Sequence, residues 1–386
     1  MDVELREEQR ALRDMIRDFA RQEIAPRAAE LDRHPAFPRE NFDAMASLGL
    51  LGLMVPEAYG GAGGSTLDQC IVSEELSYAC SATALSYLAH AVLVCHNLAC
   101  NGSEAQKRRY LPDLCSGATL GSLCITEPGA GSDALGMQTT AELQGDRWCI
   151  HGSKTFITNA TVADIFLVYV RTDPTDRNRG LSQFIVERNT PGLSVGQPFH
   201  KMGNRASPTA EVFFDDCLVP DENLVKGPNH ALGILMGNLD VERTVGAAMS
   251  VGGAQAAFDK ALHYAHERVQ FGQSILGFEM IQDKIATMAT HIEAARLLVW
   301  KAAAHCDGGR RCSKEASMAK LFASEMANRV TSEAVQILGG YGYMEEYEVE
   351  RIMRDARLGS IGAGTSEIQK LIIARKIAQE TFGTPS

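Results

Sequence analysis

The ten cysteines of this 386-residue chain include no C-x-x-C pair, no paired zinc spacing and no compact disulfide framework. Their scatter argues against the usual zinc and dithiol motifs and reads as reduced thiols in a cytosol-like compartment. Positive charge is also scarce: 37 lysines and arginines stand against 48 acids, a formal net charge of −11. That balance argues against a nucleic acid or an anionic membrane as the main partner. The opening MDVELREEQRALRDMIRDFA has no basic segment followed by an apolar one, so no secretory signal is visible. A clean 18-residue apolar run is missing too. The most apolar stretch, residues 84–100, is broken by histidines, serine and asparagine and is expected as a buried helix. No repeat or low-complexity segment occurs. A soluble, cytoplasmic protein is the expectation.

What is present is ample apolar material (45%) with an ordinary charged fraction (22%), enough for two or three domains. Leu5, Gln9, Leu12, Ile16, Phe19 and Ile24 recur at helical spacing, and Pro26 is expected to end that run. Helical patterning resumes after the glycine-rich PEAYGGAGGST (56–66). Between about 120 and 225 the pattern changes to short β-like runs: TAEL, RWCIHG, TFIT, IFLVYVRT, SQFIVER, LSVG and TAEVFFDDCLV. From there helix formers dominate, notably over 231–265, 279–307 and 314–338. The expected organisation is an all-α domain (1–119), a β-domain (120–227) and a helical domain (228–386).

Four stretches carry candidate chemistry. CITEPGAGSDA (124–134) ends in a glycine turn whose backbone N–H groups could converge on an anion, with Ser132 as a further donor; a plain surface turn has the same spelling. HGSKTFITNAT (151–161) offers an aromatic and two hydrogen-bonding side chains for a flat ligand, or simply a strand leaving a turn. HERVQFGQSI (266–275) pairs Arg268, a natural phosphate partner, with Phe271, yet also reads as a helix ending at Gly272. In EAVQILGGYGYMEEYEVERIMRDAR (333–357) a double glycine ends a helix and permits close approach, by a ligand or by another helix.

In this order and over nearly the whole chain, the set resembles the acyl-CoA dehydrogenase family. The resemblance implies a helical N-terminal domain, a central β-barrel or sandwich domain and a C-terminal four-helix bundle. It also implies noncovalent FAD, an electron-transfer flavoprotein as acceptor, and a homotetramer built as a pair of dimers. By motif position, Thr126, Gly131 and Ser132 line the flavin and pyrophosphate, with Ser132 also near substrate. Phe156, where many members carry Trp, and Thr158 pack on and bond the flavin ring. Arg268, Gln270, Phe271, Gln336 and Gly340 reach the FAD of a neighbouring subunit, while Thr365 and Glu367 approach the cofactor from the late loop.

Family chemistry is α,β-desaturation of an acyl thioester, in which a carboxylate takes the α-proton. Many members place that glutamate in a Tyr-Glu-Gly-Thr loop; here the aligned residues are Gly362-Ala363-Gly364-Thr365. Glu367 lies four positions further on and does not replace it. In GNLDVERTVGAAMSVGG (237–253), Glu242 shares a helical face with Gly246, Met249 and Gly253, whereas Asp240 and Arg243 are expected to point elsewhere. A helix N-terminus alone would also favour such a glutamate. The isovaleryl-CoA and long-chain branches resemble this chain in both features, and the GAGTSE spelling is most similar to the isovaleryl-CoA dehydrogenases. On that resemblance Glu242 is the base, the Ala363 N–H polarises the thioester carbonyl, Arg243 contacts CoA, and Gly362 widens the pocket for a branched or bulky acyl group. Competing expectations are a relative with an acyl-carrier substrate, oxygen-reoxidised flavin or nitroalkane chemistry, and a flavin-binding protein without turnover. No metal is expected.

Overall fold

A computed structural model describes residues 4–309 and 311–383. The first helix, Glu7–Phe19, does not stop at Pro26 as its spacing suggests. It passes through a π turn (Ala20–Ile24) and a 3-10 turn (Ala25–Arg27) into Ala28–Arg33. Proline is tolerated there because it falls in the first turn of a new segment, where its missing N–H has no helical acceptor to serve. Helix Thr66–Ala79 starts on a capping box, Ser65 accepting from Asp68 N while Asp68 accepts from Ser65 N. The apolar stretch Ser81–Asn101 is spent inside the protein, with 83% of its most apolar 18 residues buried. Helices then give way to strands: Ser116 ends the last of the first set.

The strands are β1 (Gly121–Cys124), β2 (Thr140–Gln144), β3 (Arg147–Thr158), β4 (Ile165–Arg171), β5 (Leu181–Glu187), β6 (Leu193–Val195), β7 (Thr209–Pro220) and β8 (Leu224–Val225). They form one sheet in the order β6-β7-β3-β2-β4-β5-β8, with β1 paired in parallel to β4. RWCIHG and TFIT belong to one strand, β3. Its pairing with β7 slips between Lys154 and Ile157, a bulge that re-aims the side chains between. β4 is apolar at every position because it is covered twice. Ile165, Leu167 and Tyr169 pack toward the helices, and Phe166, Val168 and Val170 fill the core between strands.

Helices Ala231–Glu267, Glu279–Asp307, Ser313–Leu338 and Ser366–Phe382 follow. The 37-residue helix Ala231–Glu267 is the central member: its alanine-rich face buries Val245, Ala248, Val251 and Ala257 against its neighbours. Gly252 marks its closest approach to helix Thr66–Ala79, since a Cβ there would lie 2.0 Å from Glu74 O. Gly252→Ala should therefore lose about 1–3 kcal/mol, seen as an earlier denaturant midpoint; an unchanged midpoint would show that the helices separate freely.

The cysteines need one correction. Cys306 and Cys312 are joined, with Cα atoms 5.6 Å apart, while the other eight are free. Their six-residue spacing means little in sequence. It becomes a bonding distance because helices Glu279–Asp307 and Ser313–Leu338 fold back on each other.

Candidate active site

A cavity of about 670 Å³ opens between the sheet and the helices. One wall is the stripe Glu242, Gly246, Met249 and Gly253 of the central helix, which the spacing anticipates. A Cβ on Gly246 would meet nothing within 4 Å, so the space one turn beyond the carboxylate is open. Glu242 is partly accessible, but to the cavity rather than to bulk water. Burial lifts its carboxyl to about 7, against the opposing pull of Arg243 and Lys320. A carboxylate so raised is a competent base near neutrality.

Facing it is the turn Gly362-Ala363-Gly364-Thr365, all four residues lining the same cavity. Ala363 is left-handed (φ 54°), and its carbonyl accepts from Arg243 Nε and Gln369 Nε2, each at 3.2 Å. No hydrogen bond among the described residues uses its N–H. Thr365 caps the following helix, accepting from Ile368 N at 3.4 Å. At Gly362 an added Cβ would find its nearest neighbour, Leu358 O, at 3.7 Å, so the absent side chain leaves room.

Arg243 departs from the expectation that it points elsewhere. It is buried, lines the cavity, and lies 3.5 Å from Asp240 as well as on the Ala363 carbonyl. One position along a helix turns a Cβ by about 100°, but the long arginine stem bridges that angle.

The opposite wall comes from the sheet. Thr126, Gly131, Ser132, Phe156 and Thr158 all line the cavity. Gly131 and Gly129 have nothing within 4 Å of a built Cβ, so the turn presents bare backbone. Phe156 sits in the β3 bulge with φ 57°, a costly conformation for a bulky residue, and is 67% exposed. An outward aromatic face, two threonine hydroxyls, a serine and an unobstructed glycine turn match the ring and phosphate of FAD. These residues fit the cofactor.

Two residues that hold this wall were not singled out from sequence. Lys154 is wholly buried and donates to Glu127 Oε1 (2.8 Å) and to Ile125 O (3.1 Å). Glu127 also accepts from the backbone N–H groups of Gln138 and Thr139. Burial pushes its carboxyl up, but Lys154 and those N–H groups outweigh burial and leave it below the ordinary value. The pair clamps both ends of the 124–139 segment, and both residues lie inside the ITEPGAGSD and KTFIT stretches. Lys201, Asn204, Lys320 and Asp355 likewise line the cavity, and no local spacing in the sequence marks them as site residues. Asp355, lifted by burial to about 6, accepts from Asn204 N and ties the sheet to the late helices.

The remaining expected residues are elsewhere. Helix Ala231–Glu267 ends before Arg268, and Gly272 (φ 80°) serves a small hairpin rather than a helix cap. Arg268, Gln270 and Gly340 share a shallow cleft of about 450 Å³ with Tyr264, Tyr341 and Met344. The Arg268 guanidinium stands 5.7 Å from the Tyr341 ring. Gln336 is exposed one turn earlier, and Phe271, at the hairpin tip, is 94% exposed. Glu367 is exposed and outside the main cavity.

A raised carboxylate facing an unpaired amide, beside a cradle for a flavin, defines a flavin-dependent oxidoreductase that removes hydrogen next to a polarised carbonyl. Comparison with known proteins agrees: residues 6–118, 122–217 and 230–378 match, in turn, the N-terminal, middle and C-terminal domains of acyl-CoA dehydrogenases. A probable acyl-CoA dehydrogenase of Bacillus subtilis is 48% identical over 98% of this chain and 100% of its own length. The mitochondrial isovaleryl-CoA dehydrogenase of Pongo abelii is 41% identical over 96% of this chain and 89% of its own. The butyryl-CoA dehydrogenase structure from Megasphaera elsdenii superposes with a TM-score of 0.95 at 40% identity, covering 98% of this chain and 100% of that one. The chain belongs to the acyl-CoA dehydrogenase family, is an oxidoreductase acting on CH–CH bonds of acyl-CoA thioesters, and uses FAD. Whole-chain likeness does not single out the isovaleryl branch, because a straight-chain enzyme is about as similar.

Proposed function

We propose that Glu242 is the catalytic base of an acyl-CoA dehydrogenase acting on a branched or bulky short-to-medium acyl group, of the isovaleryl kind. The observation that carries this reading is the raised Glu242 carboxylate sharing one cavity with the free N–H of Ala363. With FAD bound, the cofactor supplies the acceptor for the β-hydride. Glu242 takes the α-proton, and the Ala363 N–H holds the thioester oxygen while negative charge builds there. Thr126, Gly131, Ser132, Phe156 and Thr158 hold the flavin side, and Ser132 also borders substrate. Thr365 reaches the cofactor from the loop, and Glu367 stands at the start of the following helix. Arg243 positions the loop as well as bordering the CoA thioester end.

The cleft of Arg268, Gln270 and Gly340, with Gln336 and Phe271 beside it, is offered to the FAD of a second copy in a homotetramer. Electrons leave to an electron-transfer flavoprotein, the acceptor that the family resemblance implies. Branching is supported by the absence of side chains at Gly362 and Gly246, each facing space near the carboxylate. Anaerobic flavin bleaching by a panel of acyl-CoAs tests this: isovaleryl-CoA should reduce the enzyme faster than butyryl-CoA. The reverse order would discard the branched-acyl reading in favour of a short straight chain, the substrate in the name of the Megasphaera relative.

A further inference from the structure

Lys320, on helix Ser313–Leu338, sends a buried ammonium into the centre of this site, where it donates to Gly364 O at 2.7 Å. Gln369 holds the same carbonyl at 2.8 Å, and Gln369 with Arg243 holds the neighbouring carbonyl of Ala363. Three side chains from three helices thus tie back two consecutive carbonyls. Alanine in a left-handed conformation is strained, so the turn needs such restraint to persist. Once it is held, the Ala363 N–H, like that of Gly364, is left without a protein partner beside the cavity.

Charge gives Lys320 a second role. A buried ammonium is expensive unless paired, yet no carboxylate among the described residues lies within 4.0 Å of it. Burial lowers it to about 8. The charged groups around it are Arg243 and Glu242 of the central helix, Glu325 of its own helix and Glu367 of the last one. Glu242 in turn is faced by Arg243 and Lys320, with the Tyr169 phenol of β4 within its field. Arg243 shares its charge with Asp240. Lys320 has no carboxylate at ion-pair distance among the described residues, so its field reaches Glu242, along with Glu325 and Glu367, and the negative charge that the substrate develops.

We propose that Lys320 is a positioning residue for the reaction, locking the turn that presents the Ala363 N–H and holding Glu242 in its proton-accepting, ionised form. It rests on the assignment of Glu242 and Ala363 above, and the test separates the two. Lys320→Gln keeps a donor for Gly364 O without the charge, Lys320→Met removes both, and Lys320→Arg keeps both. Two readouts apply: anaerobic flavin reduction by butyryl-CoA as a function of pH, and the carbonyl stretching frequency of bound crotonyl-CoA, which needs no turnover.

In Lys320→Gln the pH midpoint of reduction should rise by about one unit, with roughly fivefold slower reduction at pH 7, approaching about tenfold at lower pH, and a carbonyl frequency near wild type. Lys320→Met should show the same midpoint shift and also lose the hydrogen-bonded lowering of that frequency. Lys320→Arg should restore both. An unmoved midpoint in FAD-loaded Lys320→Gln overturns the charge role, and an unmoved carbonyl frequency in Lys320→Met overturns the turn-locking role. Should Lys320→Met not fold, the Gln and Arg variants still decide the charge role, and an altered carbonyl frequency in Arg would count against the lock. Glu242→Gln with normal reduction would instead remove the base assignment itself.

Discussion

Glu242→Gln is expected to fold, to bind FAD, and to reduce it with acyl-CoA roughly 10²–10⁴-fold more slowly, the usual weight of a general base. The amide has the carboxylate's shape, so cavity and turn keep their geometry while the proton acceptor is lost. With Glu242 as the proposed base, the ionised form is the active one in the unaltered enzyme. Burial sets the carboxyl at about 7, so the rate should climb with pH through that value and level off above it. Below it the base already carries a proton. The variant should lack this rise. Anaerobic stopped-flow absorbance measures both quantities, and near-normal reduction in Glu242→Gln would discard the base assignment.

Lys154→Met should have the largest effect on stability. It removes the partner of Glu127, whose carboxylate is 6% exposed beneath the flavin-side turn. An uncompensated buried charge of this kind costs about 3–5 kcal/mol. The turn carrying Thr126, Gly131 and Ser132 should loosen with it, so FAD should wash out on dilution. The double variant Lys154→Met with Glu127→Leu should regain much of the lost stability, because no unpaired charge remains. It should regain less FAD affinity, since the two backbone N–H groups that Glu127 accepts would then have no acceptor. Denaturant unfolding and flavin fluorescence distinguish the two effects. A loss under about 1 kcal/mol in Lys154→Met would show that the pair is not the clamp described.

Much of this was legible in order along the chain. Helix formers over 231–265, 279–307 and 314–338 became helices with nearly those limits, because long alanine- and leucine-rich segments satisfy their backbone locally wherever they are placed. Strand alternation was equally readable, except that RWCIHG and TFIT were one strand: a bulge interrupts the period without ending the pairing. Glu242 could be singled out because its partners Gly246, Met249 and Gly253 lie on its own helix, where 3.6-residue periodicity converts spacing into a face.

Lys320 could not be found in that way. It looks like an ordinary helix former among alanines and serines, and only the crossing of three helices turns it toward Gly364. Arg243 escapes face arithmetic, which places a Cβ and not the end of a long side chain. Lys154 and Glu127 were present in motifs already noticed, yet 27 residues separate them and nothing local joins them. The closing of Cys306 on Cys312 likewise depends on a helical hairpin.

By itself, then, the sequence determined which segments are helix and which are strand, the glycine turn, and the stripe on which the proposed base stands, since each is a property of neighbours within a few turns. The tertiary structure alone decided that the stripe, the turn at Ala363 and the ammonium of Lys320 share one cavity. The reason is physical: desolvation and charge act through space, so the basicity of Glu242 belongs to no segment of the chain but to the packing around it.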